Sequence, residues 1–162
     1  MSQAGVIDSL QFSRERGEKT GSMDLASMPR LAASGCTAAT LSYVLRGVEN
    51  SDHRDALHLE IDGQMRLQCQ RCLGPLEYPV STNVDLELAL DQSQIDNADD
   101  DKDRVLASKH MDVAALVEDE AILALPMIAM HESCVEIAKP EPTQEGASPF
   151  AVLAALKKGG SH

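Results

Sequence analysis

The sequence predicts an α+β fold: an antiparallel β-meander forming a small sheet or barrel-like core, an amphipathic helix packed on it, and a short C-terminal helix. Three observations predict it. Apolar and polar residues alternate in strand-length runs from Ala38 to Leu90, the alternation gives way to a helical period after Asp112, and a second helical pattern follows a proline-bearing linker. Near the middle of the meander sits Cys69-Gln70-Arg71-Cys72-Leu73-Gly74-Pro75, two thiols three positions apart with a tight turn behind them.

The totals bound what such a chain can do. Its 162 residues suffice for one domain with a real core. Hydrophobic content is 43% but aromatics are only 2%, so the core must be aliphatic and stacking platforms for single-stranded bases are not expected. A formal net charge of -12 argues against a nucleic-acid footprint spread over the whole surface and suits either a basic partner or plain solubility. The first residues mix Gln11, Arg14 and Glu15 without an apolar run, and no stretch is long enough to span a membrane. A cytoplasmic protein is therefore expected, with its four cysteines reduced or acting as ligands.

Taken in order, residues 1–22 show little periodicity and read as a loosely ordered lead-in. Ser22 can cap a helix over Met23 to Ala33, although Pro29 falls inside it. From Ala38 a period of two sets in, with Leu41, Tyr43 and Leu45 on one face, and Asn50-Ser51-Asp52 marks a turn. Residues 56–61 and 64–69 alternate around Asp62-Gly63, which predicts a hairpin turning at that dipeptide. A long strand follows from Leu76 to Leu90, making a meander of about four strands.

An acidic stretch at 92–104, with Asp96, Asp99, Asp100, Asp101 and Asp103, reads as a solvated, disordered loop inserted in a domain spanning 1–138. Asp112 caps a helix from Val113 to about Leu125, ended by Pro126. Met127 to Met130 reads as a short strand returning to the sheet. Residues 139–148 form a linker, 149–158 an amphipathic helix with Phe150 and Leu153 on one face, and 159–162 a tail. Such a helix either packs on its own domain or docks on another molecule.

The Cys-x-x-Cys suits half of a tetrahedral zinc site or a redox dithiol. His131-Glu132-Ser133-Cys134 offers a second half at the same spacing, so Cys69, Cys72, Cys134 and His131 are the candidate ligands of one structural zinc. The redox reading needs a helix N-terminus or a cation to activate one thiol, and the pair instead follows a strand. No glycine-rich phosphate loop, Gly-x-Ser-x-Gly or paired-histidine metalloprotease helix occurs, so no catalytic residue is assigned. Cys36 reads as a buried or idle thiol, and His53, His58 and His110 as surface residues.

Leu67-Gln68-Cys69-Gln70-Arg71-Cys72, the helix motif from Val117 to Pro126, and Ser148-Pro149-Phe150-Ala151-Val152-Leu153 occur in the order found in the YceD family, which the chain resembles from about Asp62 to Lys158. Members are also called large ribosomal RNA subunit accumulation proteins. The resemblance implies a bacterial cytosolic factor needed for accumulation of large-subunit (23S) ribosomal RNA, whose gene commonly neighbours one for a small large-subunit ribosomal protein; no enzymatic activity is established for the family and none is carried over. Its implied partners are precursor large-subunit RNA or a basic ribosomal protein, without a membrane or small-molecule substrate. Asp96 to Asp103 and Glu118-Asp119-Glu120 could face a basic protein, whereas Arg66, Arg71, Lys157 and Lys158 could touch RNA; ordinary solvated surface is the plain alternative. Arg71, Glu118, Asp119, Glu120, Phe150 and Leu153 are the candidate partner contacts. Glu120 falls on the apolar stripe of its helix and is expected to pair with a residue such as Arg71, to lie at the stripe's edge, or to face a partner. A thiol-disulfide oxidoreductase using Cys69 and Cys72 is the alternative function.

Overall fold

The computed structural model describes residues 5–98 and 100–134. The elements in order are β1 (Val6–Ile7), α1 (Ser9–Arg14), β2 (Glu18–Asp24), a 3-10 turn (Leu25–Ser27), α2 (Pro29–Ala33), β3 (Ala38–Glu49), β4 (Asp55–Gln68), β5 (Pro75–Ala89), α3 (Ser93–Asp96), β6 (Arg104–Leu106), β7 (Met111–Asp112) and α4 (Val113–Leu123). Five strands form one sheet in the order β2-β3-β4-β5-β6, antiparallel except for the parallel β5–β6 pair. β1 and β7 make a separate two-stranded ribbon. The sheet stays open, so the α+β reading holds in its small-sheet form and no barrel closes.

The alternation on β3 and β4 decides which face is covered. Leu41, Tyr43, Leu45, Leu57, Leu59, Ile61 and Met65 all point to one side and are buried. Met28 and Leu31 of the α2 region and Val113, Leu116, Val117 and Ala121 of α4 close over them in the same core. α1 lies across β3 so tightly that a Cβ on Gly47 would sit 2.2 Å from the Phe12 carbonyl oxygen. The other face carries Glu18, Thr40, Ser42, Arg46, His58, Glu60, Asp62, Gln64, Arg66, Glu77 and Asp85 at the intervening positions.

Four expectations need correction. The lead-in over 1–22 contains β1, α1 and most of β2. Met23 and Asp24 end β2 rather than starting a helix; Asp24 caps the 3-10 turn through the Ser27 N–H, and Pro29 takes the first position of α2, where its missing N–H costs nothing. Asp62-Gly63 is not a turn. β4 runs straight through it, with Gly63 opposite Leu41 on one side and Val80 on the other. A Cβ there would lie 2.2 Å from the Thr40 carbonyl oxygen, so the glycine serves close approach of two backbones. The true turns are at 50–54, with His53 at φ 58, and at 69–74. Finally, Met127 to Met130 form no strand.

The acidic stretch carries the single helical turn α3, and its far end joins the sheet: Arg104 enters β6, pairs with Asp100, and donates to Glu87 at 3.2 Å. Glu87, buried at the sheet's end, also accepts from Arg54 and Asn50.

Candidate metal centre

β4 and β5 are joined by residues 69–74, a loop tied at its base. The Cys69 N–H donates to the Gly74 carbonyl and the Leu73 N–H to the Cys69 carbonyl, both at 2.9 Å. Leu73 adopts φ 58, a left-handed conformation that folds the loop back on itself. The fold turns backbone N–H groups inward onto the Cys69 sulfur. Those of Cys72, His131 and Arg71 stabilise its thiolate against burial, and Cys134 adds a further hydrogen bond, lowering the pKa to about 5. A buried thiolate held by amides is what a soft divalent metal requires of its ligand.

The second half arrives from the segment after α4. The Gln70 N–H donates to the Ala129 carbonyl at 2.8 Å, laying 127–131 against the loop. Cys134 Sγ then lies 3.5 Å from Cys69 Sγ, and His131 Nδ1 lies 3.4 Å from Cys72 Sγ and 3.8 Å from Cys134 Sγ. All four ligand atoms fall within 4.8 Å of one another. Two sulfurs each ~2.3 Å from a tetrahedral centre stand about 3.8 Å apart, so the spacing fits a four-coordinate ion. His131 Nε2 donates to the Pro75 carbonyl at 3.0 Å, which places its proton away from the cluster and leaves Nδ1 free to coordinate. Burial, then the neighbouring Cys69 and Cys72 sulfurs, push the Cys134 thiol up. Four thiol and imidazole groups so disposed could bind a metal.

The remaining candidates separate. Arg71 is exposed in the loop, and no ion pair among the described residues involves its guanidinium. Glu118, not Glu120, is the buried carboxylate of α4, and its partner is Arg30. Its Oε1 accepts from the Arg30 N–H at 2.6 Å and the Leu31 N–H at 3.1 Å, capping α2 from a different element, while Oε2 accepts from the Arg30 Nε at 2.9 Å. Burial pushes the Glu118 carboxyl up, but the Leu31 amide and the Arg30 side chain and amide together outweigh it and hold the group below its usual range. Asp119 is exposed and pairs with the same Arg30. Glu120 is half-buried, and burial followed by the charges of Asp103 and Asp119 pushes its carboxyl up. Phe150 and Leu153 lie outside the described residues.

Sequence reasoning missed a charged row on the open face. Glu18, Arg46, His58 and Asp85 stand opposite one another across four successive strands. Arg46 bridges Glu18 and Glu60 at 2.8 Å each; His58 contacts Asp85 at 2.6 Å and Glu60 at 3.1 Å. The Asp85 hydrogen bond, against modest burial, raises the His58 pKa. The signal was present in the period-two spacing, but cross-strand register cannot be read from one strand at a time.

The fold and the site define a small α+β protein whose open sheet ends in a preorganised Cys3His group. A family model described as Large ribosomal RNA subunit accumulation protein YceD matches residues 57–157, and the chain belongs to that family. The Large ribosomal RNA subunit accumulation protein YceD of Haemophilus influenzae is 26% identical over 169 residues, covering 94% of this chain and 95% of that protein. No solved structure matches the chain. No described helix is long and apolar enough to cross a membrane.

Proposed function

We propose that this protein is a non-catalytic binding factor supporting accumulation of 23S ribosomal RNA in the bacterial cytoplasm, and that its direct partner is a basic large-subunit ribosomal protein. Family membership carries the process. The choice of partner rests on charge: on the uncovered face Glu18, Glu60, Asp62, Glu77 and Asp85 outnumber Arg46 and Arg66, and the whole chain stands at -12. The Cys3His group holds one zinc as a structural clamp, fixing the segment after α4 to the β4–β5 loop. The redox alternative has no support in the family, and the thiol pair lies in a hairpin loop, not at a helix N-terminus.

Crosslinking in cells followed by mass spectrometry and RNA sequencing tests the partner. Recovery of a basic large-subunit protein, lost in Asp62→Lys, is expected; recovery of precursor RNA alone would transfer the partner role to RNA. A deletion strain with a normal ratio of 23S to 16S RNA would end the functional reading.

A further inference from the structure

β2 is the outermost strand of the five-stranded sheet, and no described element pairs with its free side. The Gly47 N–H donates to the Gly17 carbonyl at 2.8 Å, which sets the parity of the ladder: Lys19, Gly21 and Met23 turn their backbone groups toward β3. Glu18, Thr20, Ser22 and Asp24 direct theirs outward. Of these outward groups, among the described residues only the Asp24 carbonyl has a partner, the Ser27 hydroxyl at 2.7 Å. Sheet edges are ordinarily blunted by brevity, proline, a bulge or an outward lysine. The opposite edge, β6, is three residues long, whereas β2 runs for seven in unbroken register without a proline. Its one lysine, Lys19, is half-buried on the helix-covered side.

A second observation falls on the same strand. Tyr43 is 2% exposed, yet its hydroxyl makes no hydrogen bond among the described residues. Burial alone pushes the phenol up. That hydroxyl lies 2.7 Å from where a Cβ on Gly21 would stand, so it reaches across the outermost strand. An unpaired polar group so nearly enclosed is costly, and a further strand would bring it a partner. We infer that β2 accepts an extended basic segment of the partner as an added antiparallel strand. The inference rests on the reading that the partner is a basic protein. Charge selects this occupant. Glu18 and Asp24 stand at the two ends of β2 on the uncovered face, with Thr20 and Ser22 between them. A strand with a cation opposite each carboxylate, hydroxyl residues between, and a hydrogen-bonding side chain opposite Gly21 matches every position. Two copies of this chain paired over all seven residues would instead set Glu18 opposite Asp24 at both ends, and like charges directly opposite repel.

The test titrates the isotopically labelled full chain with an end-blocked heptapeptide, lysine-valine-threonine-serine-threonine-valine-lysine, whose ends meet Asp24 and Glu18 and whose serine meets Gly21. Amide shifts are expected to centre on Thr20 and Ser22, with exchange at those two amides slowed. The same peptide N-methylated at both threonines cannot donate to the Ser22 and Thr20 carbonyls and should bind about tenfold more weakly or worse. Exchanging its lysines for glutamates should weaken it at least as much at low salt. No shift at millimolar peptide, shifts confined to β4 and β5, or equal binding by the methylated peptide would each overturn the added strand. Equal binding by the glutamate peptide would overturn the basic occupant. Shifts in β2 that grow with protein concentration alone would give the edge to a second copy and overturn it too. Capture of a basic large-subunit protein in cells does not depend on these peptides, so their failure with capture retained removes the strand and leaves the partner.

Discussion

Glu118 shows how one carboxylate can join two helices that lie far apart in sequence. It sits on α4 but supplies the N-terminal cap that α2, opened by Pro29 and lacking a capping side chain of its own, does not have. Glu118→Gln should cost about 1–3 kcal/mol, because its one carbonyl oxygen can serve the α2 amides or the Arg30 Nε–H but not both, leaving a donor facing a donor. Urea unfolding at neutral pH reads this directly. The sign of the pH dependence follows from the depressed folded pKa: the charge contributes fully above the unfolded value of 4.5 and the contribution is lost as pH falls through the folded one. The gap between wild type and variant should therefore narrow on acidification below about pH 4. Glu120→Gln is the contrasting case. Its carboxyl is pushed up by burial and neighbouring acids, so removing its charge should leave stability unchanged or slightly raised at pH 7.

Among the elements, β4 carries the sharpest test. Gly63→Val places a branched side chain where the β3 backbone runs, and should disrupt the β3–β4 pairing near the Ala38–Arg66 end; a loss of several kcal/mol or failure to fold is expected, with amide exchange in β3 reporting the site. A turn at Asp62-Gly63 would tolerate the same change better. Excising 92–98, which bears only α3 and its local hydrogen bonds, should shift stability by less than about 1 kcal/mol provided Asp100 and Arg104 are kept. The same strand explains what was legible from the sequence. The alternation of β3, β4 and β5 was plain because each strand buries one face and wets the other. The Asp-Gly signal misled because a glycine required for close packing and one required for a turn look alike without the neighbouring strand. β2 was hidden for a different reason: Met23 is its one fully buried side chain, and Gly21 must be small to pass under the Tyr43 ring, so no apolar rhythm marks it. The four candidate ligands were legible from spacing, whereas the Arg30–Glu118 clamp spans 88 residues and joins a lone arginine to one of three adjacent acids.

On the scale of the whole molecule, metal content tests how firmly the β4–β5 loop holds the segment after α4. Protein purified without chelator should hold about one zinc per chain by elemental analysis, with Cys69→Ser and Cys134→Ser each abolishing it. Removing the ion should lower Tm by more than about 10 °C, since no regular element anchors 127–134. A metal-free preparation with an unaltered Tm would leave the cluster as four packed side chains.

The sequence distance across that cluster also imposes a timetable. Cys69 and Cys72 precede their counterparts by 59 to 65 residues, so at ~5–20 residues per second of synthesis the first thiols wait on the order of 3–13 s for His131 and Cys134. During that interval β3, β4 and β5 can already pair, because their contacts are sequential and local. The newborn chain then presents a finished hairpin with an open dithiol at its tip, able to hold a metal ion by two sulfurs or to be captured by an oxidant or a thiol reagent. Purified fragments ending between residues 100 and 130 should thus react with a thiol probe at position 69, and chains extended past residue 134 should be protected.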